Sequence, residues 1–133
     1  MFIQISTRCL QRAMQVVAVL LAVGLPLGLF IGGAQPVAVG LVPAPWDKLA
    51  HAAVFATLAG AIGYASGLRG RRMLLLSFCS AVVVGALDEL HQMYLPGRNA
   101  GWDDLAADAC GAALGAAAML WRARIEQWLF KHH

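Results

Sequence analysis

Charge is what this sequence has least of. Lys, Arg, Asp and Glu make up 13% of its 133 residues, about half of the roughly 25% carried by soluble domains. A water-soluble globular fold is therefore not the first reading, and a mean hydropathy of +0.68 points to a membrane protein. Residues 13–46 hold no charged side chain at all, and within 14–31 Gln15 is the only polar one. Cysteine is scarce too. Cys9, Cys79 and Cys110 form no CxxC and no paired framework, so they are expected as small buried hydrophobes, not staples. A pI near 9.1 would suit nucleic acid only if the basic residues made a patch, and they flank apolar segments instead. Phosphate-loop, zinc-protease and serine-hydrolase signatures are missing as well, so no motif names a reaction.

What is there is a series of apolar segments. Residues 1–12 carry Arg8 and Arg12 and no acid, and read as a cytoplasmic N-terminus. Residues 13–33 follow as a first transmembrane helix, long enough for a ~30 Å hydrocarbon core. A cleaved signal peptide shares the basic start, but the apolar run exceeds the ~7–15 residues of such a core and no clean small-x-small site follows. Pro26, between Gly24 and Gly28, is expected to kink this helix. A Gly/Pro-containing outer loop over 34–46 leads to a second helix over 47–66, where Asp47 complements the helix dipole and Trp46 sits at the interface. A basic inner turn at 67–72, a third helix over 73–95 and an outer turn at 96–101 follow. A fourth helix over 102–121 and a cytoplasmic tail at 122–133 complete an all-α membrane protein, a bundle of four transmembrane helices.

Charge placement orients the bundle. Arg8, Arg12, Arg69, Arg71, Arg72, Arg122, Arg124 and Lys131 fall at one end, and only Lys48 and Arg98 at the other. The positive-inside rule then makes the chain N-in and C-in. The acids divide the opposite way: Asp47, Asp88, Glu89, Asp103, Asp104 and Asp108 lie outside and Glu126 alone inside. The polar residues are expected to face the periplasm or cell exterior.

Five of the seven carboxylates lie within residues 88–108. Asp47 and His51 are one helical turn apart, as are Asp88 and Gln92, and Asp104 and Asp108. Gly85 lies one turn below Asp88 and Glu89. Gly111 and Gly115 continue the Asp104–Asp108 stripe, and small residues at that spacing mark close helix contacts in membranes, so the carboxylate face is expected to meet another helix. An ionised side chain at the depth of Asp108 costs ~2.5–3.5 kcal/mol on insertion scales unless paired or wetted. His51, Glu89, Asp104 and Asp108 are the candidate catalytic residues, and Asp47, Lys48, Asp88, Gln92 and Arg98 the candidate substrate-binding residues. Some have a plainer reading, whereas a structural role alone rarely justifies intramembrane acids such as Glu89 and Asp108. Asp47, Lys48 and Asp103 also suit caps or interfacial charges, His51 a satisfied buried histidine, and Arg98 a turn residue reaching to water. His91 lies on a different face, and His132 and His133 read as tail residues without a site role. Carboxylates with a histidine can hold a divalent cation, Mg²⁺ or Mn²⁺ for an oxygen-rich set.

At these residues the sequence resembles the VanZ-like family of small bacterial membrane proteins. The family pattern is Asp-Lys-x-x-His, then Glu-x-x-Gln, a Pro-Gly-Arg turn, and Asp-x-x-x-Asn/Asp-x-x-Gly-x-x-x-Gly. Here these are Asp47-Lys48-Leu49-Ala50-His51, Glu89-Leu90-His91-Gln92, Pro96-Gly97-Arg98, and Asp104 to Asp108 with Gly111 and Gly115. The match covers about residues 46–116, and its strength is four pieces in order. Asp108 stands where many relatives have Asn, which adds a negative charge. The founding member of the family is associated with reduced susceptibility to the glycopeptide teicoplanin; the resemblance does not by itself carry resistance to this chain.

Three functional readings follow. In the first, the protein acts on a cell-envelope lipid or polyprenyl-phosphate-linked precursor at the outer leaflet, with His51 and Glu89 as acid and base and Lys48 and Arg98 clamping a phosphate. In the second it is a non-catalytic module that binds a precursor or glycopeptide, or an accessory subunit of an envelope complex or homo-oligomer. The third, a proton-coupled transporter, needs a charged path through the bilayer, and the inner halves of the segments lack one. Nucleic acid is not an expected partner.

Overall fold

The computed structural model describes residues 2–98 and 100–131; His132 and His133 lie outside the described residues. Among those described there are four α-helices and no strand: α1 (Phe2–Leu27), α2 (Trp46–Ala65), α3 (Gly70–Gln92) and α4 (Trp102–Lys131). The backbone of α1 widens after Pro26 into one π turn, Gly28–Gly32. The link to α2 contains a single 3₁₀ turn, Pro36–Ala38. Gly67 and Gly70 take positive φ angles of 64° and 61°, a conformation other residues adopt at a cost. They turn the chain from α2 into α3, so Arg71 and Arg72 lie in the first turn of α3. Past residue 121, α4 continues as helix to Lys131.

The packing is inverted relative to a water-soluble bundle. Leu10, Val16, Leu20, Val23, Val83, Leu87 and Leu114 are exposed, while Ala18, Ala59, Ala61, Ala81, Ala112 and Ala116 are buried with Phe55 and Leu58. Lipid tails are as apolar as leucine, so nothing drives large side chains inward, and small residues let the backbones approach instead. Among the described residues, three helices are long and apolar enough to cross a membrane: Arg8–Gly32, Trp46–Ala65 and Gly70–Gln92. α4 has the length, but Asp103, Asp104 and Asp108 occupy its opening turns and Ala and Gly fill much of the rest. Cys9, Cys79 and Cys110 are exposed and unpaired, contrary to the expectation of burial. A thiol facing lipid is as well accommodated as one in a core, so hydropathy cannot tell the two apart.

α4 packs chiefly on α2 and then on α3; α1 packs on α2, and its π turn reaches α3. One end of this bundle gathers the start of α2, the end of α3 and the start of α4. All the acids except Glu126 are there.

Candidate functional site

The site is set by the contact between α2 and α4. A Cβ on Gly111 would fall on the backbone of Ala52, and one on Gly115 on that of Ala56. Only glycine permits this approach. α2 is thus the helix that the carboxylate face of α4 meets. Ala52 follows His51 directly, and Gly111 lies about one turn beyond Asp108, so the close contact also brings those two side chains together. The Nδ1–H of His51 donates to Asp108 Oδ1 at 2.8 Å. Asp108 is fully buried. Across from it Gly85 of α3 leaves room: a Cβ there would lie 2.9 Å from Asp108 Oδ2 and 3.2 Å from the Phe55 ring. Phe55 stacks on His51 with ring planes 11° apart, fixing the imidazole from a second side.

The end of α3 supplies the other buried acids. Gln92 Nε2 donates to Asp88 Oδ2 at 2.8 Å, one turn apart as the spacing indicated. Glu89 Oε2 accepts the backbone N–H of Gly101 at 2.8 Å, which ties α3 to the start of α4. Glu89 Oε1 and Asp108 Oδ2 are buried without a hydrogen-bond partner among the described residues. His51, Glu89 and Asp108 converge, with one candidate ligand atom from each lying within 4.8 Å of the others.

Both candidate phosphate-clamping cations are engaged within the protein. Lys48 Nζ meets Asp47 Oδ2 at 3.2 Å, Asp103 Oδ2 at 2.9 Å and Asp104 Oδ1 more closely still. It is the counter-ion that joins α2 to the first turn of α4. Arg98 donates from Nη2 and Nε to the carbonyl of Gly33, at 2.8 and 3.3 Å, which pins the outer turn to the end of the π turn. Replacing Lys48 by methionine is therefore expected to leave three carboxylates facing one another. Because the lysine is about one-third exposed, the cost is about 1 kcal/mol. The loss should appear as a lower melting temperature that added salt partly restores; an unchanged melting curve would mean that the network has no structural part.

Beside this cluster lies a cavity of about 470 Å³. Asp47, His51, Gln92, Arg98 and Asp104 contribute polar wall, and Leu29, Val39, Leu41, Val42 and Val54 apolar wall. Of the nine candidate residues, five thus line the cavity. Lys48 bonds to two of them, and Asp88 to Gln92. Asp108 stands behind His51, and Glu89 faces a separate groove between α3 and α4 with Leu90, Met93, Trp102 and Leu105. His91 takes no part in these contacts and packs on Phe30, with ring centroids 5.3 Å apart. The Gly101 N–H, the Gly33 carbonyl and residues 38–44 of the outer loop complete the site without having been singled out by sequence. Backbone groups carry no residue-type signal, and the loop is recognisable only as a Gly/Pro-containing connection.

Residues 13–124 match a family model described as VanZ/LLP1. No curated protein and no solved structure gives a match.

Proposed function

The chain belongs to the VanZ/LLP1 family, and on that premise we propose that its polar cavity binds, or acts on, a cell-envelope lipid or lipid-linked precursor at the outer face of a bacterial inner membrane. The observation that carries this reading is the division of the cavity wall. His51, Asp104, Gln92 and Arg98 offer hydrogen bonds on one part, and Leu29, Val39, Leu41 and Val54 offer hydrocarbon on another. A ligand that fills both must itself have a polar head and an apolar chain. The volume is in the range of ~300–1,000 Å³ typical of small-molecule sites. His51 would be the working group, with Asp108 holding its tautomer so that Nε2 is the nitrogen left to engage a ligand. Asp88 and Gln92 would support the same wall from α3.

The orientation belongs to the same proposal. Trp46, Tyr94 and Trp102 are exposed at the acidic end, and Trp121 and Trp128 towards the other, as interfacial belts would require. Trp102 and Trp121 are about 28 Å apart along α4 at 1.5 Å per residue, so α4 would be the fourth span. With the eight basic residues at the opposite end, both termini would be cytoplasmic. A phosphatase fused after His133 is then expected to be inactive and a fluorescent protein there to shine; an active phosphatase would invert the topology.

The decisive measurement is native mass spectrometry of the protein extracted from its own membrane. An amphipathic, phosphate-bearing lipid is expected to accompany the wild-type chain and to be depleted about tenfold, equivalent to 1.4 kcal/mol, in His51→Gln and Arg98→Ala. Lipid-free protein in all three would favour the second reading in its accessory form, a structural subunit of an envelope complex. That reading draws on the engagement of Lys48 and Arg98 in holding helices together. A role in teicoplanin susceptibility would belong to either reading, and growth inhibition with and without the gene measures it.

A further inference from the structure

We propose that His51, Glu89 and Asp108 form a site for one divalent first-row metal ion, Mn²⁺ or Zn²⁺, in the seam between α2, α3 and α4. The inference does not depend on which ligand fills the cavity. Three elements each contribute one donor, and the three ligand atoms lie within 4.8 Å of one another. Donors held ~2.0–2.2 Å from an ion stand about 3–4 Å apart, so side-chain adjustments alone would close the set.

A second observation points to a ligand independently of this grouping. Glu89 Oε1 and Asp108 Oδ2 are buried and have no hydrogen-bond partner among the described residues, on residues that are 8% and 0% exposed. The sister oxygens are held in place, Glu89 Oε2 by the Gly101 N–H and Asp108 Oδ1 by His51. Each side chain is therefore oriented by one oxygen and unsatisfied at the other. A buried carboxylate oxygen without a donor calls for a partner, and here the partner must also carry positive charge. Six carboxylates crowd this end of the bundle; Lys48 serves three of them, and Arg98 has no ion pair with any of them among the described residues.

The donor set narrows the choice of ion. Mg²⁺ and Ca²⁺ favour all-oxygen shells, whereas an imidazole nitrogen with two carboxylates suits Zn²⁺ or Mn²⁺. Three protein ligands would leave a coordination position open. His51 also lines the cavity, so that position would be reachable by an oxygen of a cavity ligand.

The test uses the full chain in detergent, with His132 and His133 changed to alanine so that the tail cannot retain metal. The protein is stripped with a chelator, titrated separately with Mn²⁺ and Zn²⁺, desalted and analysed for metal by mass spectrometry. About one ion per chain is expected, with a higher melting temperature as binding stabilises the folded state. Glu89→Gln and Asp108→Asn should each weaken binding at least ~10-fold, the lower bound for changes even to supporting residues at metal sites. Circular dichroism and size-exclusion profiles show whether the variants are folded. If they are not, Co²⁺ bound to the protein with its three ligands intact should show visible bands distinct from those of the aquo ion. Failure to retain either ion would overturn the proposal, as would equal retention in folded variants or an aquo-like Co²⁺ spectrum. Lipid depletion in His51→Gln with no metal in any sample would remove the ion and leave the lipid reading standing.

Discussion

Gly111→Ala is expected to destabilise the protein by about 2–4 kcal/mol, somewhat beyond the usual 1–3 kcal/mol of core overpacking, although alanine is the better helix former by about 1 kcal/mol. The reversal of sign comes from what the added methyl would meet. It would sit on the Ala52 carbonyl, 2.8 Å from both its carbon and the Ala52 Cα. Backbone cannot rotate away as a side chain can, so α2 and α4 must separate. Gly115→Ala meets the backbone of Ala56 in the same way and should behave alike. Gly60, on α2, has nothing within 4 Å of its would-be Cβ, and Gly60→Ala should be neutral or stabilising. Thermal melts of the three variants in one detergent test this. If all three shifted together, the close contact of α2 and α4 would be wrong. Function should fall with stability at 111 and 115, because separating these helices also parts His51 from Asp108.

Asp108→Asn should do the opposite: raise the stability of metal-free protein by about 1 kcal/mol or more, while abolishing whatever the site performs. Removing one partner of a buried charged pair ordinarily costs ~3–5 kcal/mol. Here Asp108 stands among more acids than cations, and an amide retains the oxygen that accepts from His51. Its new N–H₂ takes the place of Oδ2, a buried oxygen with no donor among the described residues. Less charge is buried and an unsatisfied acceptor is removed. Asp108→Ala separates the contributions: it deprives His51 of its acceptor and opens a void, and should cost ~2–3 kcal/mol. Chelator-treated protein melted alongside ligand or metal retention gives both readouts. A large loss of stability in Asp108→Asn would mean that the carboxylate charge is already compensated.

The two substitutions also show where sequence reading reaches its limit. The GxxxG stripe at Gly111 and Gly115 announces a close contact but not its partner, since any helix with small residues could accept it. The spacings of Asp88 with Gln92, and of Asp104 with Asp108, place residues on one face reliably, because 3.6 residues per turn is a local rule. Sequence left the two cations open between ligand clamps and interfacial or turn residues, and it could not show the bonds each makes within the fold, Lys48 to acids of α2 and α4 and Arg98 to the Gly33 carbonyl. Cysteine burial was misjudged because hydropathy records affinity for an apolar medium and does not distinguish core from lipid.

By itself the sequence determined that the protein is helical, that its apolar segments suit a membrane, and that its acids and their histidine gather at residues 47–51 and 88–108. Those properties follow from composition and local period. Tertiary structure alone decided the pairings that make a site: His51 with Asp108, 57 positions apart; Lys48 with Asp104, 56 apart; and Arg98 with Gly33, 65 apart. Such contacts depend on how far each helix is rotated and how closely two backbones approach. Glycine opposite a carbonyl sets that approach here, and no periodicity within one helix encodes what stands opposite it.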